Sequence, residues 1–218
     1  AIGSLSLQQN SSGNYNAAIG RFSLSGNTTG SYNTALGYNA NVSAGTYINA
    51  TAIGSSTTAT ASNQVRIGSA SVTSIGGYAN WTNISDGRVK KNIRENVAGL
   101  SFINRLKAVT YNLDITAIDK KLKPVDNDNE DPQSENAKSR AAKEKIIYTG
   151  FVAQDVEAAA QEANYSFSGV DAPKNENDMY GLRYAEFVVP LVKAVQELSA
   201  QNTGLKEENL QLKKRIEN

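Results

Sequence analysis

The sequence Gly13-Asn14-Tyr15-Asn16-Ala17-Ala18-Ile19-Gly20 returns 17 residues later as Gly30-Ser31-Tyr32-Asn33-Thr34-Ala35-Leu36-Gly37. The same spacing links four apolar triplets, which are Ala1-Ile2-Gly3, Ala18-Ile19-Gly20, Ala35-Leu36-Gly37 and Ala52-Ile53-Gly54. Self-similarity at a fixed period is typical of folds in which each unit stacks on the next. Because the chain begins inside a repeat, we expect it to be part of a longer one.

Each repeat has few apolar side chains, with Gly, Asn, Ser and Thr at its turns. So few cannot bury a core within one chain, and we predict that the repeats stack and also pack against identical chains. The alternative, a disordered Ser/Gly/Asn-rich linker, fits the composition but not the fixed period. Val65-Arg66-Ile67-Gly68 departs from the 17-residue spacing and is interpreted as a last strand.

The composition changes near residue 85. Only Arg21 and Arg66 are charged among residues 1–84, whereas the chain from Asp86 onward carries 41 of the 43 charged side chains. This asymmetry predicts two domains. The net charge of +1, without a separate basic stripe, gives no indication of a nucleic-acid partner.

Cysteine and histidine are both absent. Their absence excludes disulfides, thiolate or imidazole metal sites and a Ser-His pair, so we expect no metal and no cofactor. Any acid–base chemistry must use Lys, Asp, Glu or Tyr. No run of about 18 apolar residues is present, so no membrane-spanning helix is predicted.

The junction between the two compositions reads Ile84-Ser85-Asp86-Gly87-Arg88-Val89-Lys90-Lys91-Asn92-Ile93. A serine hydroxyl is a poor nucleophile until a base takes its proton, and without histidine a lysine amine is the best base available. Such a lysine must be uncharged, which burial or the positive charge of Arg88 and Lys91 would favour. Backbone amides near Gly87 are the candidate donors to an oxyanion. The alternative is that Ser85-Asp86-Gly87 is only a turn or helix cap.

Periodic segments follow the junction. Four apolar residues at helical spacing predict an amphipathic helix: Val97, Leu100, Ile103 and Leu106. Four alternating residues predict a strand: Val109, Tyr111, Leu113 and Ile115. Residues 119–145 are charged and poor in apolar side chains, which predicts a long exposed loop or arm. Its acidic run from Asp126 to Asp131 lacks the glycine and the final glutamate of a calcium loop, so no calcium site is expected.

Two further motifs lie downstream. Residues 146–157 read as a strand ending in Gly-x-x-Ala-Gln before a helix, and Tyr180-Gly181-Leu182-Arg183-Tyr184 reads as a strand that enters a long terminal helix. With the junction, they resemble the three signatures of endosialidase-type intramolecular chaperone domains, found at the ends of phage tail spikes, fibres and neck appendages and in the myelin regulatory factor. The resemblance covers most of residues 85–198. Residues 1–70 resemble the head repeats of trimeric bacterial adhesins and the collar segments of phage fibres.

The resemblance implies a specific reaction. In that family the domain releases itself through a Ser-Lys dyad, which implies catalytic Ser85 and Lys90 and a cut between Ile84 and Ser85. It implies that three further residues support the motif: Asp86, Arg88 and Asn92. It also implies arms that grip the stalk, a role for residues 119–145, and a place in a virion tail fibre or spike assembled in the bacterial host cytoplasm.

The C-terminal segment carries apolar and asparagine side chains alternately four and three residues apart: Leu191, Val195, Leu198, Asn202, Leu205, Asn209, Leu212 and Ile216. This heptad seam predicts a parallel coiled coil, in which the two asparagines would fix the register at a cost in stability. The alternative is one amphipathic helix packed on its own domain, but Leu205–Ile216 has little sequence left to pack against. A trimer rather than a dimer rests on the repeats and the resemblance.

These observations predict a multi-domain chain. Residues 1–84 would form an all-β trimeric β-helix or β-prism stalk, residues 85–190 an α+β chaperone domain with an exposed arm at 119–145, and residues 191–218 a trimeric coiled coil. We expect a homotrimer that folds its own stalk, without nucleic-acid or membrane partners, and then cuts itself once as a serine endopeptidase. The alternative is a non-cleaving trimerisation domain of a structural adhesin or fibre. An activity on an external glycan would have to lie upstream of Ala1.

Overall fold

The computed structural model describes residues 1–122 and 134–217. The strands, in chain order, are β1 (Ala17–Ile19), β2 (Thr34–Leu36), β3 (Asn41–Val42), β4 (Thr51–Ile53), β5 (Thr58–Ala59), β6 (Val65–Ile67), β7 (Val109–Tyr111), β8 (Tyr148–Gly150), β9 (Val170–Asp171) and β10 (Gly181–Leu182). The helices are α1 (Leu100–Ile103), α2 (Ile115–Leu122), α3 (Glu135–Glu144), α4 (Ala153–Glu162) and α5 (Val188–Ile216). Across the described ranges, no helix is both long and apolar enough to cross a membrane. The acidic run that begins at Asp126 lies outside the described residues.

These elements belong to two compact units. The first contains residues 1–80, 111–148 and 173–179, and the second contains residues 81–110, 149–172 and 180–218. The chain therefore first passes from one unit to the other after Asn80. Later crossings group 111–148 and 173–179 with the repeats, although both segments lie far downstream in the sequence.

The repeats of the first unit stack as parallel strands. One sheet has the order β1-β2-β4-β6, and a second pairs β3 with β5. Ala18 pairs with Ala35 and Ala35 with Ala52, so each coil adds one 17-residue period. The last coil is shorter, because Arg66 of β6 pairs with Ala52 after only 14 residues.

Alternation along these short strands separates small buried residues from larger exposed ones. Ala18, Ala35 and Ala52 are each 1% exposed, whereas Ile19 and Leu36, one residue later, are each 47% exposed in the single chain. Alanine fits this interior because neighbouring coils approach closely. The close approach also explains Gly20, because an added Cβ there would lie 2.5 Å from the carbonyl oxygen of Gly37. Its φ of +125° favours glycine as well.

The polar residues of the repeats satisfy one another inside the coil stack. The amide nitrogen of Asn27 donates to the Asn10 side-chain oxygen at 2.7 Å, and that of Asn33 donates to Asn27 at 3.0 Å. Outside the core, the rings of Tyr15 and Tyr32 stack with centroids 5.0 Å apart. The bond from Asn33 to Asn27 has its equivalent one coil earlier, from Asn16 to Asn10 at 3.4 Å, so the asparagines act as a ladder that accompanies the backbone pairing.

The segment between β7 and β8 differs from the sequence prediction. The two strands pair with each other, but β7 ends at Tyr111. Leu113 and Ile115 are not strand residues, because Asp114 accepts a hydrogen bond from the amide of Ala117 at 2.7 Å and caps α2. The loop predicted over 119–145 is helical at both ends, where α2 and α3 are joined by an ion pair between Asp119 and Arg140.

Helix α3 also contacts the chain just past β6, within the first unit. The Nζ of Lys143 donates to the backbone oxygen of Val72 at 2.5 Å. Burial lowers the pKa of Lys143. A helix of the 111–148 segment therefore holds residues that directly follow the last repeat strand.

The second unit has a small aromatic core. Phe102 of α1 is fully buried, with its ring centroid 4.9 Å from that of Phe167, and it clusters with Val156 of α4 and with Phe187. The helix predicted over Val97 to Leu106 is shorter than expected, since α1 covers only Leu100–Ile103. Phe102 was not on the predicted apolar face, yet it is the most buried residue of that segment.

Helix α5 is anchored near its start and exposed afterwards. Pro190, in its first turn, and Ala194 are buried, and Glu197 accepts a hydrogen bond from the amide of Leu100 at 2.7 Å. Proline suits this position because the first helical amides have no intrahelical acceptor. From Leu198 to Ile216 the apolar side chains of this helix are about half exposed or more in the single chain.

Candidate active site at the junction

A tight 3-10 turn over Gly87–Val89 shapes the junction. Asp86 precedes the turn in an extended conformation, and its Oδ1 accepts the backbone amide of Arg88 at 2.9 Å. Lys90 follows the turn, again extended, and its amide bonds to the oxygen of Gly87 at 3.3 Å. The turn therefore reverses the chain between residues 85 and 90.

This reversal brings together the two residues that the sequence marks as a nucleophile and a base. The Nζ of Lys90 donates a hydrogen bond to the Oγ of Ser85 at 2.8 Å. That distance lies within the range for proton transfer between a nucleophile and its base. Both residues are exposed in the single chain, and Ile84, on the other side of the predicted cut, is 90% exposed.

Asp86 and Arg88 form an ion pair that stiffens the turn. The Nε of Arg88 lies 2.9 Å from Oδ2 of Asp86, and a terminal nitrogen lies 2.5 Å from the same oxygen. The side-chain hydrogen bond from Arg88, and then its backbone amide, lower the pKa of Asp86, and the same pairing raises the pKa of Arg88. Asp86 therefore offsets the charge of Arg88 within the turn.

Three backbone amides in and just after the turn are already engaged. Those of Arg88 and Val89 donate to Asp86, at Oδ1 and at the backbone oxygen, and that of Lys90 donates to Gly87. These three amides are therefore poor candidates for the oxyanion donors expected near Gly87. Asn92 lies two residues past Lys90 with a left-handed φ of 54°, a conformation that asparagine tolerates better than most residues.

Comparison with known protein families identifies the segment that begins at this turn. Residues 85–165 match the family model of the chaperone of endosialidase. These residues are a chaperone-of-endosialidase domain. The match supports an intramolecular chaperone role for them, and the family itself is named as one of peptidases. No curated protein and no solved structure matches the chain.

The match to the chaperone family starts at Ser85 and ends at Tyr165. It spans α1, β7, β8 and α4, and it leaves the 17-residue repeats and helix α5 outside. The match also contains the second sequence motif, residues 146–157. In the structure, β8 ends at Gly150 and α4 begins at Ala153, as the Gly-x-x-Ala-Gln pattern predicts.

One group that no motif indicated is Asp178. It is 5% exposed and lies in the first unit, where it contacts Thr60 and Arg66 of the repeats. The sequence offered only an indirect signal, because Arg66 is one of two charged residues among the first 84. A charge at that place needs a partner.

Proposed function

We propose that residues 85–190, the chaperone segment, align three copies of the repeats, complete their folding and then release themselves by cutting between Ile84 and Ser85. The observation that carries the cleavage step is the 2.8 Å contact between Lys90 Nζ and Ser85 Oγ across a turn at the start of the family match. The protein would serve as part of a phage tail fibre or spike.

The proposed cleavage needs no group from outside the chain except water. The amine of Lys90, once uncharged, takes the hydroxyl proton of Ser85 as Oγ bonds to the carbonyl carbon of Ile84. The peptide C–N bond then breaks, its nitrogen takes the proton, and an ester joins Ile84 to Oγ. Water hydrolyses the ester and leaves two fragments, 1–84 and 85–218.

The trimer is supported by apolar surface that one chain leaves exposed. Ile19 and Leu36 form a column on the outer face of the repeat sheet, each 47% exposed. Helix α5 presents a second such column, its heptad seam. Among the described residues, the seam positions Leu205, Leu212 and Ile216 are about half exposed or more in the single chain. Two apolar columns at opposite ends of the sequence favour self-association at both. The contact from Lys143 to Val72 supports a gripping role for the 119–145 arm.

A non-cleaving role is the second candidate, and one observation favours it. Ser85 and Lys90 are both exposed in the single chain, over the part of it that the structure describes. In this version the domain would remain attached as the trimerisation element of a structural adhesin or fibre. The two roles differ in what the trimer must do. Only the cleaving role requires assembly to bury Ser85 and Lys90.

Intact mass spectrometry of freshly purified protein, followed over time, tests the proposal. Wild type should yield fragments 1–84 and 85–218, while Ser85→Ala and Lys90→Ala should stay full length, with cleavage slowed by about 10³-fold or more. Lys107→Ala is the matched control, since it removes an exposed lysine of the same unit that lies away from the turn, and it should cleave normally.

Trimer formation by each variant is measured alongside by analytical ultracentrifugation. A full-length trimer of Ser85→Ala or Lys90→Ala, beside a cleaved wild type, supports the dyad. Cleavage at 84/85 in both variants would show that other groups perform the reaction. A wild-type trimer that never cleaves would instead favour the non-cleaving role.

A further inference from the structure

The loop between β9 and β10 enters the first unit at residues 173–179 and packs on the last repeat coil. Asp178 of this loop is 5% exposed, and Thr60 of the coil is 1% exposed. The hydroxyl of Thr60 donates to Asp178 Oδ1 at 2.6 Å. A second bond runs in parallel, from the side-chain amide of Asn175 to the backbone oxygen of Thr60 at 2.8 Å.

The carboxylate of Asp178 is held by both segments. The amides of Lys174 and Met179, in its own loop, donate to it at 3.2 and 3.0 Å, and Arg66 of β6 lies 3.5 Å away. Burial alone would raise the pKa of Asp178, but the bonds from Thr60 and the two amides, together with Arg66, outweigh it and lower that pKa. The buried group is therefore a charged one with several partners, which is the arrangement that makes a buried carboxylate stable.

The two coil residues that meet Asp178 come from different sheets. Thr60 follows β5, which pairs with β3, whereas Arg66 is the centre of β6, which pairs with β4. The binding site for Asp178 therefore forms only when β5 has paired with β3 and β6 has paired with β4. Gln64 links the two, since its side-chain oxygen accepts the amide of Thr60 at 2.7 Å.

The same binding site cannot form on an earlier coil. In the strand register, Arg66 of β6 occupies the position that the buried residues Ala52 and Ala35 occupy in the two preceding strands of the same sheet. Those positions offer no cation to a carboxylate. A buried carboxylate without its cation and hydrogen-bond donors would be strongly disfavoured, so the loop discriminates the last coil from the others.

We propose that the loop 173–179, through Asp178, is the surface by which the chaperone segment recognises the completed last coil of its own repeats. The contact would report that strand pairing has reached β6, which lies just upstream of the junction at Ser85. This inference gives the proposed chaperone role a specific client surface. The contact itself does not depend on cleavage.

Hydrogen–deuterium exchange of the full-length chain tests the proposal, with Ser85→Ala present in every sample so that cleavage cannot affect the result. Asp178→Asn keeps the size of the side chain but removes its charge. We expect backbone amides of residues 58–68 to exchange at least about tenfold faster, as expected for losing hydrogen bonds to a buried charge. Amides of residues 17–36, in the earlier coils, should be unchanged and show that the repeats remain folded.

Glu176→Gln is the matched control, because it removes one negative charge from an exposed position of the same loop. It should leave exchange in 58–68 as it was. Thr60→Val tests the contact from the other side and should speed exchange of amides in 173–179, which no change confined to the coil would do. If Asp178→Asn destabilises the whole chain, the Thr60→Val result still decides.

Two outcomes would overturn the proposal. One is equal exchange of 58–68 in Asp178→Asn and Glu176→Gln. The other is a Thr60→Val effect that stops at the coil and leaves the loop protected. Failure of wild type to cleave would contradict the proposed release step but would leave these comparisons unaffected.

Discussion

At the residue scale, the side chain of Asn33 links its own coil to the next one. It is fully buried, its nitrogen donates to Asn27 at 3.0 Å and to the backbone oxygen of Tyr47 at 2.7 Å, and its oxygen accepts the amide of Ala50 at 2.8 Å. Asn33→Ala would strand two buried backbone groups, each worth about 1–3 kcal/mol. We expect the free energy of unfolding to fall by at least about 2 kcal/mol, measured with guanidinium on Ser85→Ala protein.

The control for that change is Asn14→Ala. Asn14 is exposed, and its side chain donates one longer bond, 3.2 Å, to the oxygen of Ser12. Its removal should cost less than about 0.5 kcal/mol. Equal losses for the two variants would mean that general asparagine content, rather than the buried ladder, stabilises the repeats.

The sequence could predict a contact between near neighbours but not one between distant residues, for a physical reason. Ser85 and Lys90 are five residues apart, so a local turn suffices to join them, and their chemical types limit what they can do together. Asp178 meets Thr60 across 118 residues, and no local pattern encodes a contact that only the folded chain creates. The engaged amides of the turn were also beyond prediction, because they depend on how Asp86 caps it.

At the element scale, helix α5 offers two leucines in matching surroundings. Leu205 and Leu210 are each 55% exposed in the single chain, but only Leu205 lies on the heptad seam. If α5 forms a coiled coil, Leu205→Glu places charges at its core and should convert trimer to monomer in analytical ultracentrifugation. Leu210→Glu should remain trimeric. Monomers from both variants, or from neither, would contradict a seam-specific interface.

Elements with a strong period or a marked boundary were predictable, and short ones were not. The 17-residue register and the last strand at Val65–Ile67 follow from the repeat, because stacking coils must keep like residues adjacent. The strand predicted through Ile115 was wrong because one capping residue, Asp114, outweighed alternation. Helix α3 was missed because its charged sequence has no apolar stripe for periodicity to detect.

At the scale of the whole molecule, the proposed trimer would divide one folding problem between the two ends of the chain. A stack of parallel coils shared among chains is slow to form, since long-range contacts must be aligned before they repay the lost entropy. A terminal coiled coil can form early and raise the local concentration of the other segments. Recognition of the last coil by the loop at Asp178 would then mark completion before the scaffold leaves.

Release of the scaffold should make folding of the repeats a one-time event. We expect Ser85→Ala protein, unfolded in guanidinium and diluted, to regain its trimer, because the chaperone segment and α5 are still attached. Cleaved wild type treated identically should not regain a trimer of 1–84, since the element that aligned the chains has become a separate molecule. Size-exclusion chromatography with light scattering measures both, and Lys107→Ala, which should cleave normally, serves as the control. Equal recovery of the cleaved and uncleaved proteins would show that the repeats align without help, and the role of the chaperone segment would then have to be a different one.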